Sequence, residues 1–349
     1  MKRLAGLFFV WMYLLCTTAT AWADQTILVS FLGDCTIGCE EKVYEWENGF
    51  AMTADREGYA YFFEKVYPLL STDDLTVANF EGVLKRNAYG KTEKTYNFRG
   101  LPAYAQILVE GSVEAVGLEN NHTEDYGDTG KNTTKTALTD AGVSWFDAEN
   151  AYIYEKGGVR IAFLSIWQQW VFYYGKEYEQ TITALKKNGA DVVVVYLHAG
   201  EEYNPYHTES QSSAAYRFID AGADLIVCSH PHVVQGIEEY QNRLILYSLG
   251  NFVFGGNVNV RALETYIPQV TFTFSADGEY LCKQLRVYPA NVSGDAEAND
   301  YQPRLVTGEA ADAVYLLIDQ DSETLELPYT TTEDYREYNP VYAAADENN

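Results

Sequence analysis

Two histidines one residue apart, His230 and His232, occupy the segment Ser229-His230-Pro231-His232, directly after an apolar run over 224–228. The run reads as a buried strand, and residues i and i+2 of an extended segment point to the same side. Two neutral imidazoles side by side make a metal clamp, and Pro231 stiffens the loop between them. The chain holds five histidines, the others being His122, His198 and His207. His198 closes the apolar run 191–197, and His122 follows 113–118 through Asn120 and Asn121. Asp34 follows 27–32 through Gly33, and Glu81, with Asn79 two residues before it, follows 75–78. Four histidines and two carboxylates therefore fall just past predicted strands. Imidazole, carboxamide and carboxylate ligands suit Zn, Mn or Fe, and no local thiolate cluster competes as a structural zinc site. His207 lies outside this set and reads as an exposed side chain.

Such positions converge only if the strands are parallel neighbours, because an open α/β sheet gathers the carboxyl ends of its strands at one edge, where ligands bind. The intervening segments supply the crossovers. Residues 59–70 have apolar positions at helical spacing, and 101–111 start with a proline near the first turn. Further helices are predicted up to the glycine stop at Gly142, over 177–188, and from about residue 209 to Gly222. Lys156-Gly157-Gly158 marks a hairpin between 152–155 and 159–166, and Ser275-Ala-Asp-Gly278 another between 266–274 and 280–288. Trp167 and Trp170 follow a strand and either line a pocket or simply pack. Residues 290–349 turn acidic and Tyr/Thr-rich, with one apolar run at 313–318, and read as a small appended element or a partly disordered one.

Lys2 and Arg3 precede an uncharged stretch over 4–23. Its strongly apolar part, 4–16, is the size of a signal-peptide core and short for a membrane span. Ala21-Trp22-Ala23 offers a cleavage site, so an exported chain starting near Asp24 is expected, with an uncleaved anchor as the alternative. The formal net charge of −26 at pH 7, without a basic cluster, argues against nucleic acid as a partner. It also repels an anionic substrate at long range unless local cations reverse the field. Cys35 and Cys39 are close enough in sequence to pair in an exported chain, and the pairing stays open.

The blocks GDCTIG (33–38), NFEG (79–82), YNFRGLP (96–102), LENNHTEDYG (118–127), LHAGEEYNPY (197–206) and the long stretch 219–255 resemble the bacterial capsule-synthesis CapA family. These are the poly-γ-glutamate synthesis proteins, a branch of the calcineurin-like metallophosphoesterase fold. The resemblance covers residues 26–275. It implies an α/β fold over 24–289, a four-layer αββα sandwich of two mixed sheets flanked by helices. A signal peptide (1–23) would precede it, and a C-terminal β-hairpin and an acidic extension (290–349) would close it. It also implies a centre of one or two divalent ions at the strand ends. Asp34 and His232 would hold the first ion, and Asn121, His198 and His230 the second. Glu81, with Asn79 beside it, would bridge, and His122 would donate a proton and stabilise an oxyanion.

The chain departs from the wider phosphoesterase pattern at two places. The opening Asp-x-His is Asp34-Cys35-Thr36, and the Gly-Asp-x-x-Asp block is Asn79-Phe80-Glu81. Both changes deplete the first ion's ligands, so the position built on His198, His230 and Asn121 is expected to be the stronger. Arg99, in a matched block, reads either as a bidentate clamp for a substrate carboxylate or phosphate or as a surface salt bridge. Two functions follow from the resemblance. One is a metal-dependent hydrolase of capsule or poly-γ-glutamate biosynthesis, cutting a phosphoester or an amide bond. The other is a non-catalytic envelope component that helps assemble or export an anionic polymer beside the capsule-synthesis machinery at the membrane.

Overall fold

The computed structural model describes residues 24–322 and 325–343, so the expected signal peptide lies outside the described residues. Its runs of β-branched residues form central strands buried on both faces, as parallel sheets require. The larger sheet runs Tyr329–Thr331, Arg336–Tyr338, Tyr280–Asn291, Glu264–Phe274, Gln25–Thr36, Leu75–Phe80, Ala115–Gly117, Ser144–Phe146. The last four of these are mutually parallel. A short strand, Asn251–Phe254, also pairs in parallel with the end of Gln25–Thr36. The smaller sheet runs Ile237–Tyr240, Arg243–Leu246, Leu225–Ser229, Val192–His198, Val159–Trp167, Tyr152–Lys156, with a parallel centre and an antiparallel strand at each edge.

Alternation along each strand divides the apolar residues between two cores. Val192, Val194 and Tyr196 face inward with Phe163 and Val227, against Val29, Phe31 and Val77 of the other sheet. Val193, Val195 and Leu197 face outward, onto Ile182 of the helix Val171–Lys187 and Phe218 of the helix Glu209–Asp220. On the far side, Leu32, Ala78 and Phe80 pack on Leu108 of the helix Ala105–Glu110 and Leu138 of the helix Gly127–Ala141. Helix, sheet, sheet, helix: the chain is a four-layer α/β sandwich. The Tyr196 hydroxyl donates across the inner layer to the Val77 carbonyl at 2.8 Å, which ties the two sheets together near the carboxyl ends of their strands.

Three local expectations change. Residues 59–70 do not form one helix but a 3-10 turn, Tyr59–Phe63, and a separate turn, Tyr67–Leu70. Pro68 is responsible, since it lacks the N–H that a continuous helix would use. The helix expected over 177–188 starts earlier, at Val171. The C-terminal extension is neither appended nor separate. The helix Glu309–Gln320 buries Ala311, Val314, Tyr315 and Ile318 in the inter-sheet core, and the strands Arg304–Leu305, Arg336–Tyr338 and Val341–Tyr342 pair with Tyr280–Asn291. Its acidic residues had masked an apolar face at helical spacing.

His207 is likewise not a free surface residue. Its Nδ1 lies 2.9 Å from Asp321 Oδ1, its backbone N–H donates to Asp321 Oδ2 at 3.0 Å, and its ring stacks on Tyr247 at 3.9 Å. Cys35 and Cys39 are both buried and free.

Candidate metal centre

Parallel register brings the ends of Gln25–Thr36, Leu75–Phe80 and Ala115–Gly117 together, and sheet stacking sets Val192–His198 and Leu225–Ser229 opposite them. At Asp34 the pairing with Leu75–Phe80 slips between Leu32 and Asp34, an irregularity of the kind that re-aims a side chain at a strand end. Asp34 Oδ1 accepts from Asn79 Nδ2 at 2.7 Å, and Oδ2 accepts from the His230 backbone N–H at 3.1 Å. His232 Nδ1 lies 3.2 Å from the same Oδ2. Burial works against the charge on Asp34, but the hydrogen bond and charge of His232 outweigh it and hold the carboxyl well below the usual range.

Glu81 is fully buried, and among the described residues neither of its oxygens has a hydrogen-bond partner. Its Oε1 lies 3.8 Å from His122 Nε2, 4.0 Å from His198 Nε2 and 3.8 Å from His232 Nε2. One carboxylate oxygen thus faces three imidazole nitrogens. Burial, with the Asp34 charge adding to it, pushes the Glu81 pKa well above the ordinary value. Burial opposes charge on His232 too, but Glu81 and Asp34 overcome it and push His232 up to about 9. His198 and His230 move the other way, through burial and then through their imidazole neighbours, His230 to about 4.

Glu81, His230 and His232 each offer a ligand atom within 4.8 Å of the others. The His198 and His230 rings are 4.5 Å apart between centroids, and His198 Nε2 is 2.8 Å from Asn121 Oδ1. The grouping therefore cuts across the division that the resemblance implies. It joins Glu81 to one histidine from each of the two implied sets, whereas Asn79 faces Asp34. Among the described residues His230 Nδ1, another buried atom of the cluster, also lacks a hydrogen-bond partner. A buried carboxylate and imidazole left unsatisfied are costly unless something binds them, and this donor set fits a divalent cation of the Zn, Mn or Fe type.

The two loop histidines do not converge by strand alternation. The strand stops at Ser229, and His230 and His232 take positive φ values of 105° and 59°. Such backbone costs about 1–3 kcal/mol per non-glycine residue and clusters at functional sites.

His122 is held by a residue that sequence reasoning passed over. Its Nδ1 lies 2.7 Å from Asp125 Oδ2, and Asp125 also accepts from the Phe98 backbone N–H at 2.6 Å and from Lys94 Nζ at 2.7 Å. The signal available was the His-x-x-Asp spacing within the matched block. Asn120 was also passed over. It donates to the Phe80 carbonyl at 2.8 Å and accepts from the His122 N–H at 3.0 Å, pinning the Glu81 and His122 loops to each other. Asn251, whose Oδ1 is 2.9 Å from His232 Nδ1, fixes the third loop.

Arg99 is not brought to the cluster. Its Nε pairs with Glu41, its Nη1 donates to the Lys85 carbonyl at 2.8 Å, and its guanidinium lies 4.9 Å over the Tyr44 ring. With these contacts and 5% exposure, it ties neighbouring loops together and is not a surface pair. A cavity of about 320 Å³ opens over the cluster, lined by His122, Glu202, Tyr203, His232, Phe254 and Arg261 among others. Trp167 and Trp170, edge to face at 6.0 Å, line a neighbouring cavity of about 300 Å³ with Asn121.

Fold and site together define an αββα sandwich protein carrying a buried His/Glu cluster of metal-binding composition where the two sheets' strand ends meet. The chain belongs to the bacterial capsule synthesis protein PGA_cap family, whose family model matches residues 29–256. It is 33% identical over 258 residues to the capsule biosynthesis protein CapA of Bacillus anthracis, covering 66% of this chain and 60% of that protein. It is 31% identical over 255 residues to the PGA biosynthesis protein CapA of Bacillus subtilis (strain 168), covering 67% and 64%. The chain thus spans less than two thirds of those relatives' length. A probable polyglutamine synthesis accessory protein of Mycobacterium tuberculosis is 24% identical over 63% of this chain and 66% of its own. The solved Termus thermophilus sulfate thiohydrolase SoxB aligns over 86% of this chain and 60% of that one, at 11% identity and a TM-score of 0.41, too low to carry an argument.

Proposed function

We propose that this protein acts in capsule or poly-γ-glutamate biosynthesis as a metal-dependent hydrolase, cutting a phosphoester or an amide bond at the Glu81 cluster. The observation that carries the reading is the buried Glu81 carboxylate, without a hydrogen bond and facing three imidazoles. Glu81, His230 and His232, with Asp34, His198 and Asn121 around them, would hold one or two divalent ions. A cation there supplies Lewis-acid polarisation of a phosphoryl or acyl oxygen and acidifies water.

The chain's own groups supply the rest. Asp125 orients His122 through Nδ1, leaving Nε2 toward Glu81, where it can give a proton to a leaving group or hydrogen-bond developing negative charge. Asn79 and the His230 N–H keep Asp34 aimed, and His232 keeps it ionised. The cavity walls, Phe254 and Tyr203 among them, limit the water around these charges.

A second reading, a non-catalytic envelope component that binds an anionic polymer, rests on Thr36. It stands where Asp-x-His would place another imidazole, and its buried hydroxyl has no partner among the described residues. The uncharged stretch 4–23 and its Ala21-Trp22-Ala23 site support export to the cell envelope or beyond, with capsule machinery at the membrane as the partner.

Metal content of the purified protein, followed by assays with bis(p-nitrophenyl) phosphate and γ-glutamyl p-nitroanilide, tests both readings. Turnover that needs the cation and is lost in Glu81→Ala supports the hydrolase. A folded, metal-loaded protein no faster than Glu81→Ala on either substrate supports the binding role.

A further inference from the structure

We propose that Arg261, parked on the Tyr203 ring, is the residue that recognises an anionic oxygen group, carboxylate or phosphate, on the ligand of this pocket. The inference rests on the reading of the Glu81 cluster as the reacting end of the same cavity.

Arg261 lines the cavity together with His122 and His232. Its guanidinium carbon lies 4.1 Å from the Tyr203 ring centroid, and that ring lies 6.0 Å from the His232 ring. A guanidinium stacked on an aromatic keeps its in-plane N–H donors free and loses little freedom when it binds. Those donors are unused here. Among the described residues no carboxylate lies within 4.0 Å of Arg261 and no acceptor takes a hydrogen bond from it, whereas seven other arginines each hold a carboxylate. Arg86 and Arg160 likewise hold no carboxylate among the described residues, but neither lines this cavity. Lys42, the lysine on this lining, is paired with Glu40 at 2.7 Å. Glu40 and Glu202 also line the cavity, so an anionic group is favoured beside Arg261 and not along the whole lining.

The platform is built rather than incidental. Tyr203 holds a positive φ of 61°, and its backbone N–H donates to the Pro231 carbonyl at 2.7 Å. Pro231 lies between the two loop histidines. The segment that stacks Arg261 is therefore anchored to the segment that carries His230 and His232, which sets the anion-binding group at a fixed offset from the cluster. A strained non-glycine residue persists only where its surroundings over-determine it.

The test is calorimetric binding to the full chain, metal-free and Mn-loaded, with wild type, Arg261→Gln, Arg261→Lys and Tyr203→Leu. The probes are a γ-linked triglutamate, its fully amidated form, and phenyl phosphate. Arg261→Gln should bind triglutamate or phenyl phosphate at least about tenfold more weakly with unchanged metal content, since a charge-assisted contact is lost. Arg261→Lys should recover part of the loss, Tyr203→Leu should lose several-fold, and the amidated peptide should not discriminate among the proteins. Whichever probe depends on Arg261 identifies carboxylate or phosphate as the group read. Equal binding of both anions by wild type and Arg261→Gln, or no preference of wild type for either anion over the amide, overturns the proposal. Arg261-dependent binding without any turnover would leave the inference standing while the hydrolase reading fails.

Discussion

Glu81 Oε1 lies 3.8 Å from His232 Nε2, close enough for strong mutual electrostatics and too far for a hydrogen bond. The cluster is therefore organised around a gap that neither side chain closes. A divalent cation in that gap would bind the folded state and not the unfolded one. The protein should consequently melt at a higher temperature with Mn or Zn than with chelator, by about 2.7 kcal/mol of stability at a hundredfold excess over Kd. Glu81→Gln should abolish the difference while remaining folded. Identical melting of wild type with and without cation, by calorimetry, would count against a centre here.

His122 touches Asp125 on one side and faces Glu81 on the other. If it acts on the proton and not on the ion, His122→Gln should lower turnover by about 10²–10⁴-fold and leave the metal content near that of wild type. Metal analysis beside kinetics separates the roles. Loss of the ion would make His122 a ligand.

Arg99 ties Glu41 to the Lys85 carbonyl. Arg99→Ala should cost about 1–3 kcal/mol of stability, read from the urea midpoint, because Lys85 and Glu41 lose a charged partner. Affinity for small anions should stay unchanged, in contrast to Arg261→Gln. A weakened affinity with normal stability would restore Arg99 as a clamp.

Lys283 is fully buried on Tyr280–Asn291, and its Nζ donates to the Asn242 carbonyl at 2.9 Å. Burial, with Arg243 adding to it, lowers it from 10.5 to about 7. The unfolded chain then binds the extra proton between those values, so the penalty is fully present below about pH 7 and is relieved as pH rises toward 10.5. Lys283→Met should therefore gain stability over wild type most at pH 6, and the gain should shrink by pH 9. Melting curves across that range decide it, and a difference independent of pH would show that the lysine is not held neutral.

The C-terminal helix should behave as core. Ile318 has no exposed surface, and Ile318→Ala should cost about 2–5 kcal/mol in chemical denaturation. A near-neutral effect would return this segment to the status of an appendage.

Much of this architecture is written locally. The run of valines in Val192–His198 could only be a strand buried on both faces, and its outward and inward residues separate by simple alternation. Gly142, with φ of 84°, ends its helix where a left-handed residue is needed. Histidines at strand ends were legible for the same reason, since strand direction follows from the crossovers. What local pattern could not determine was which side chains meet once two sheets stack. Asp34 and the His230 backbone are 196 residues apart in sequence, and the loop carrying His230 turns through positive φ that no period predicts. Arg99 sits in a matched block yet is consumed by Glu41, while Arg261, in an unremarked loop, faces the cavity. Glu81 looked displaced along the chain but stands among three imidazoles in space. Period and turn chemistry dictate which face of an element is buried. The identity of its neighbours comes from long-range packing, which alone decided where this carboxylate was left without a partner.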